Sequence, residues 1–401
     1  VAAPAVNRYL VVEQALRTAA PHDLLNVARA HLRQLYRADA VDLLMADYAL
    51  TMLQQVAELP YTSQPIPVNG SVPGQAFGAQ QEFVERHADS TVTAYLPVTV
   101  RGDRLGVLAV GLPKTPAPDV LAELVTIAQT LGHEIVVAER DTDLYLQARR
   151  AARLTLAAEM QWQLLPGRSC KRSEYDLGAQ LEPAYAIYGD NFDWSTTAEH
   201  LTLTVTNGMG EGIDAALLTN LTINALRNAR RAGVPLADQA ALADQAVYGQ
   251  HAGRSHVSVL LLRFELKTGR VEVVDAGSPR MWRQRGNTVE PVTFDAQLPL
   301  GMFDDSQYAT EEFHVQPGDR LIFVSDGVYD VASPSGERYS ERALARAINL
   351  TRLLPAAQMP REVLRQLAGH RDTRTVSDDA MVVCLDWHGT RPASSHPLSA
   401  Q

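Results

Sequence analysis

Four short acid-bearing segments, spread from Asp190 to Asp379, constrain this chain more than any other feature. They are Tyr188-Gly189-Asp190-Asn191-Phe192-Asp193-Trp194, Val205-Thr206-Asn207-Gly208-Met209-Gly210-Glu211-Gly212, Phe323-Val324-Ser325-Asp326-Gly327-Val328 and Ser377-Asp378-Asp379-Ala380-Met381-Val382. Apolar, strand-like runs accompany the last three: Leu201–Val205 and Arg320–Val324 lead into theirs, and Met381–Leu385 leaves the fourth. Carboxylates at the ends of distant strands can converge, and a convergent set of oxygens is what hard divalent cations bind. Each segment alone says little. Asp326-Gly327 at a strand end reads as a turn, and Asp378-Asp379 as a solvated cap. Their succession at four strand ends carries the argument.

The rest of the chain sets the frame. At 401 residues it exceeds one ordinary core and predicts two domains with a connector. Hydrophobic residues make up 46% and charged residues 20%, a globular composition. The formal net charge of -10 excludes nucleic acid as an expected partner. Cys170 and Cys384 are the two cysteines; their separation argues against a disulfide scaffold or a cysteine zinc site and fits a reducing compartment. His200, His251, His256, His314 and His370 lack metal-ligand spacing and read as structural or surface residues. No run of 18 or more apolar residues and no signal pattern is present, so a soluble cytoplasmic protein without membrane contact is expected.

Residues Leu10 to Leu35 follow a helical period; Ala40–Met45 and Thr51–Ala57 read as a strand pair. Pro65 to Gly78 is punctuated by Asn69-Gly70 and Pro73-Gly74 and reads as a loop, with a short helix over Ala79–Glu85. Thr93–Val100 and Arg104–Gly111 form a hairpin about Arg101-Gly102-Asp103, and helix resumes at Val120. This order, with the Tyr95-Leu96-Pro97-Val98 and Gly106-Val107-Leu108-Ala109-Val110 hairpin, resembles a GAF domain, placed at residues 1–132. The resemblance implies a sensor for a small-molecule or protein input, whose identity the residues do not reveal. The domain contains no Cys, which excludes a thioether-linked bilin.

Residues Leu131 to Leu165 read as one helix without Pro, and without Gly after Gly132. At full length it would span about 50 Å. Val137, Leu144, Ala148, Ala151, Leu154, Ala158 and Leu165 line one side, flanked by Arg149, Arg150 and Arg153. Such a seam suits a parallel helix pair, so residues 133–166 are expected to be a helical linker that makes a homodimer, the alternative being a lone helix packed on either domain. A second domain follows over 167–388, and the Pro/Ser-rich tail 389–401 reads as disordered.

The four acid-bearing segments resemble those of the PPM family of metal-dependent serine/threonine phosphatases, in its bacterial SpoIIE-like and RsbU-like branch. Further matches in order are Gln163-Leu164-Leu165-Pro166, Pro183-Ala184, the run Gly212-Ile213-Asp214-Ala215-Ala216-Leu217-Leu218, Asp275-Ala276-Gly277-Ser278-Pro279, Leu298-Pro299-Leu300-Gly301 and Gly318-Asp319-Arg320-Leu321. The resemblance implies an α+β architecture with a C-terminal αββα sandwich and two Mn²⁺ or Mg²⁺ ions at one edge. Asp190 and the Gly208 carbonyl would hold one ion, Asp326 and Asp379 the other, and the residue at position 207 would bridge both. No side chain would act as nucleophile: a metal-activated hydroxide attacks phosphorus. The implied substrate is a phosphorylated anti-sigma-factor antagonist of the STAS type.

One departure bears on activity. Position 207 is Asn, where the family has Asp. An amide oxygen is neutral and poorly suited to bridge two cations. Two unit charges about 4 Å apart interact by roughly 4 kcal/mol at an effective dielectric near 20, so a lost bridging charge weakens binding tenfold or much more per ion. Ser278 stands where His is common, Tyr188 where Gly is common, and Glu211 where Lys is common; Glu211 is near enough in sequence to restore some negative charge. Asn207 is open to three readings: a low-activity enzyme, an inactive pseudophosphatase that binds its partner, or an engineered replacement. Asp193 reads equally as support for the site or as scaffold.

Overall fold

Alternation along Ala40–Ala46 decides how the first unit is layered. In the computed structural model this stretch is β1, with Leu43 and Met45 buried in one core and Leu44 and Ala46 in another on the opposite face. A strand with both faces buried belongs at the middle of a sheet. The described residues are 7–56, 64–182, 189–340, 342–371 and 378–390. They fall into two units, Val1–Arg153 and Leu154–Gln401. Pro183, Ala184, Tyr188, Ser377 and the tail from residue 391 lie outside the described residues, as does Ala57 of the second expected strand.

The first unit runs α1 (Arg8–Thr18), α2 (Leu24–Tyr36), β1, β2 (Met52–Gln55), β3 (Ile66–Pro67), α3 (Val72–Ala79), β4 (Phe83–Arg86), β5 (Val92–Val100), β6 (Asp103–Leu112), α4 (Pro118–Ala138) and α5 (Leu144–Ala148). Its sheet has the order β3-β2-β1-β6-β5-β4, and the strand pairs are antiparallel. The expected β5–β6 hairpin is present, turning at Arg101 and Gly102, both with positive φ. α4 has the length and apolar composition of a membrane span, but Leu124, Ile127, Leu131 and Ile135 are fully buried in the core it shares with α1, α2 and the sheet.

Two local expectations are corrected here. The Pro65–Gly78 segment, read as a loop, contains α3: Ser71 Oγ caps it by accepting from Gly74 N at 3.1 Å, and proline occupies its first turn, where a missing N–H costs nothing. The short helix read at Ala79–Glu85 is instead the end of α3 followed by the edge strand β4.

The single linker helix is also corrected. α4 stops at Ala138, α5 is separate, and α6 spans Leu156–Leu164. Thr142 Oγ1 accepts from Leu144 N at 3.3 Å, and Thr155 Oγ1 accepts from Ala158 N at 3.2 Å. Short polar side chains that bond nearby main chain start new helices in place of extending old ones. The expected seam is therefore broken. Ala148 is buried in the first unit, Ala158 in the second, and Val137 is exposed. The continuous stripe on which a linker dimer would rest is not formed, and the two units divide inside the 133–166 segment.

After α6 the second unit continues with β7 (Ser169–Lys171), β8 (Tyr175–Glu182), β9 (Asn191–Thr196), β10 (His200–Gly208), α7 (Gly212–Arg231), α8 (Leu236–His251), β11 (Val257–Glu265), β12 (Arg270–Ala276), β13 (Arg280–Arg285), β14 (Thr288–Val292), β15 (Glu311–His314), β16 (Arg320–Val324), α9 (Asp326–Tyr329), α10 (Ala343–Leu350), α11 (Met359–Arg371) and β17 (Ala380–Trp387). Two antiparallel sheets form, β15-β12-β11-β10-β9 and β14-β13-β16-β17-β8-β7. Period-2 burial assigns each strand residue to a layer. Leu203, Val205, Leu262 and Phe264 meet Leu321, Phe323, Met381 and Val383 between the sheets. On the outer faces, Val259 and Leu261 pack under α7 and α8, while Ile322, Val324, Val382 and Cys384 pack under α10 and α11. The layers are helix, sheet, sheet, helix.

Candidate metal centre

Strand pairing brings the four acid-bearing segments together in two steps. Within the first sheet, antiparallel pairing of β9 with β10 sets Asn191 opposite Thr206, so Asp190 lies beside Asn207 and Gly208. Within the second, β16 pairs with β17 and Val324 faces Val382, so Asp326 lies near Asp379. The sheets are then joined at this edge. Asp190 N donates to Asp379 Oδ2 at 3.2 Å, and Asn207 Nδ2 donates to Asp326 Oδ1 at 2.5 Å.

Glycines permit the approach. A Cβ at Gly189, whose φ is +113, would lie 2.2 Å from Gly208 O, while Gly208 N donates to Gly189 O at 3.1 Å. A Cβ at Gly327 would lie 1.6 Å from Asp379 O. No side chain fits either place.

The electrostatics are those of a carboxylate cluster short of positive charge. Asp190 is 2% exposed and Asp379 fully buried. Burial, then the neighbouring Asp379, pushes the Asp190 carboxyl well above the usual range; a hydrogen bond from Ser325 opposes this, and Asp326 and Asp378 add to it. Asp378 is pushed up to about 6, by burial and then by Asp326, against the bond it accepts from Asp379 N. Asp190 Oδ2 is buried with no hydrogen-bond partner. An orphaned oxygen between like charges is a position that a divalent cation would satisfy. By this test Asp190 fits the implied metal.

Asn207 does not fit in the same way. Its amide presents protons, to Asp326 and, at 3.2 Å, to Ser278 Oγ. Among the described residues no group of three or more His, Cys, Asp or Glu lies close enough to hold an ion. Main-chain oxygen and water would have to complete any coordination shell, as they commonly do around Mg²⁺.

The remaining expected positions sort clearly. Ser278 belongs to the site: its Oγ lies 3.2 Å from the Tyr329 hydroxyl, which also donates to Ser278 O at 3.0 Å. Glu211 is exposed at the start of α7, with no side-chain hydrogen bond to the site among the described residues, so it does not replace the missing charge. Asp193 faces the helices, where it accepts from Arg227 at 2.7 Å and Arg230 at 2.9 Å; it is scaffold. Trp162 lies under the Arg168 guanidinium, 5.3 Å from carbon to ring centroid.

Several contributors escaped the sequence reading. Ser325 is fully buried and its Oγ also accepts from Met381 N at 3.0 Å, tying the strand before Asp326 to the strand after Asp379. Gln161 on α6 donates to the main-chain oxygen of Asp190. Thr219 on α7 donates to Gly189 O at 3.0 Å. Ser325 and Gln161 stood inside or beside motifs already singled out, and their adjacency was the available signal. Thr219 had none.

A two-sheet sandwich with acidic strand ends converging at one edge defines the class: the C-terminal unit is a PP2C-type serine/threonine phosphatase domain. Within that class, residues 197–388 match the family described as Stage II sporulation protein E (SpoIIE). Phosphoserine phosphatase RsbU of Bacillus subtilis is 21% identical over 256 residues, covering 63% of this chain and 76% of RsbU. Phosphoserine phosphatase RsbP of the same organism is 21% identical over 219 residues, covering 53% of this chain and 51% of RsbP. Among solved structures, the SiaA-PP2C domain of Pseudomonas aeruginosa shares 19% identity with a TM-score of 0.49, over 58% of this chain and 94% of that domain.

Proposed function

We propose that this chain is a metal-dependent phosphatase acting on phosphoserine or phosphothreonine of a small partner protein, with a site weakened by Asn207. The observation that carries the reading is the junction of the two sheets, where buried Asp190 meets Asp379 and keeps one carboxylate oxygen without a partner. Asp190 and the Gly208 carbonyl on one side, and Asp326 and Asp379 on the other, are the residues that would hold Mn²⁺ or Mg²⁺. Such ions supply charge neutralisation for a phosphoryl group and acidify water. The chain's own part is to hold these oxygens in place through Ser325, Gly189 and Gly327, with most of the site closed to bulk water.

Two of the curated relatives are named phosphoserine phosphatases, which supports this substrate chemistry. The partner we infer is a phosphorylated anti-sigma-factor antagonist of the STAS type, in the cytoplasm. The first unit, six antiparallel strands with α1, α2 and α4 on one face and α3 on the other, supports the reading of a GAF-like sensor that receives the input.

A second reading is favoured by one observation. Asn207 donates into Asp326, which suits a domain that binds its partner without hydrolysis. Mn²⁺-dependent hydrolysis of p-nitrophenyl phosphate by the chain and by Asn207→Asp separates the two, with Asp326→Ala as control. The expected result is activity in Asn207→Asp that exceeds the parent by tenfold or more and is abolished by Asp326→Ala. Activity in neither protein would favour the binding module, and equal activity in both would refute the weakening assigned to Asn207.

A further inference from the structure

The two halves of the carboxylate cluster are in different states. On the Asp326 side one carboxylate oxygen is satisfied by two donors. Asp326 Oδ1 accepts from Asn207 Nδ2 at 2.5 Å and from Gly327 N at 2.9 Å. The other amide proton of Asn207 goes to Ser278 Oγ at 3.2 Å, which leads on to the Tyr329 hydroxyl. Arg280 lies over the Tyr329 ring, 3.9 Å from carbon to centroid, and adds a positive charge near this side. An amide has one donating and one accepting end, and beside Asp326 the donating end is the one turned inward. The NH₂ group thus stands toward Asp326 in the way a cation would.

On the Asp190 side Ser325 bonds the carboxyl and one oxygen is left open. Asp190 is 2% exposed, its Oδ2 has no partner, and Asp379 is fully buried beside it. Two adjoining carboxylates in a dry site repel each other unless a proton or cation intervenes.

We infer that this chain binds one divalent cation, at Asp190 where it meets Asp379, so that Asp379 serves this ion in place of the one expected beside Asp326, and that the Asn207 amide closes the Asp326 side to a second. The inference rests on the metal-dependent reading above and specifies its stoichiometry. Without the bridging charge, the second ion should bind on the order of a thousandfold more weakly than in a chain carrying Asp at 207.

Titration of the metal-free 401-residue chain with Mn²⁺ alone tests this, by calorimetry and by electron paramagnetic resonance. One ion per chain with the six-line spectrum of isolated Mn²⁺ is expected for the parent. Asn207→Asp should take two ions with a spin-coupled spectrum. Asp190→Asn should lose the parent's single ion, and Asp326→Asn should keep it. Thermal melting of each variant with and without Mn²⁺ separates a lost ion from a lost fold. Two coupled ions in the parent, no ion at millimolar Mn²⁺, or a single ion that survives Asp190→Asn would each overturn the inference. The phosphatase reading is judged separately: it fails if Asn207→Asp holds two ions yet hydrolyses no phosphoserine peptide.

Discussion

Asp193→Ala should be among the most damaging single changes in the second unit, although Asp193 lies outside the metal cluster. Its side chain is 4% exposed and accepts from two arginines, Arg227 (19% exposed) and Arg230 (16% exposed), at 2.7 and 2.9 Å. Arg227 also donates to Leu164 O at 2.7 Å, so one carboxylate fixes α7 to β9 and to the end of α6. Removing one partner of a buried pair costs about 3–5 kcal/mol, because the other charge is left unpaired. Both guanidinium groups keep some access to water, so the lower end, about 3 kcal/mol, applies. For a unit of this size each kcal/mol moves the melting temperature by about 2–4 °C, giving a drop of about 6–12 °C. Calorimetry of Asp193→Ala, Arg227→Ala and the double variant reads both the loss and the coupling. The reasoning is refuted if Asp193→Ala costs less than about 1 kcal/mol, or if the two single losses simply add.

Three further outcomes follow from the same reading. Asn191 is fully buried beneath the helix layer with neither side-chain amide atom hydrogen-bonded, so Asn191→Leu should raise the unfolding free energy read from urea denaturation by about 1–3 kcal/mol; a loss of stability would count against it. Glu139 is held above the usual carboxylate range, by burial first, with Arg149 opposing and Asp103 adding. A raised acid pKa gives stability that is present below about pH 4.3 and lost as pH rises through the folded value. Glu139→Gln should therefore change little at pH 4 and stabilise the first unit at pH 7, and a destabilisation confined to pH 7 would show that the Arg149 attraction dominates. Gly106→Ala should disrupt the first unit, since its Cβ would fall 2.0 Å from Leu44 O across the β1–β6 pair. Limited proteolysis compared with the parent reads this, and unchanged resistance would refute it.

How far the sequence alone could reach depends on whether the deciding interaction is local. The β5–β6 hairpin was legible because alternation and the Arg101-Gly102 turn lie within one short stretch. The four acid-bearing strand ends were legible because each combines an apolar run with a polar stop. α3 was hidden by its own proline and glycines, since a proline in the first turn of a helix looks in sequence like a loop. The linker was misread because Ala, Leu and Arg have high helix propensity, and that outweighed Thr155, which caps α6, and Thr142, whose side chain accepts from Leu144 N. Asp193 could not be assigned because its partners lie more than thirty residues away on α7. The direction of the Asn207 amide was equally out of reach: it depends on Asp326, brought in by the opposite sheet.

The crowding at Gly189 and Gly327 has a consequence for how such a domain can change. Asn and Asp have nearly the same shape, so the protein can exchange one for the other at 207 and keep its architecture. At 327 the space beside the Asp379 carbonyl admits no side chain at all. Chemistry here can therefore drift while geometry stays fixed, and a chain silenced at 207 would keep the shape of the domain.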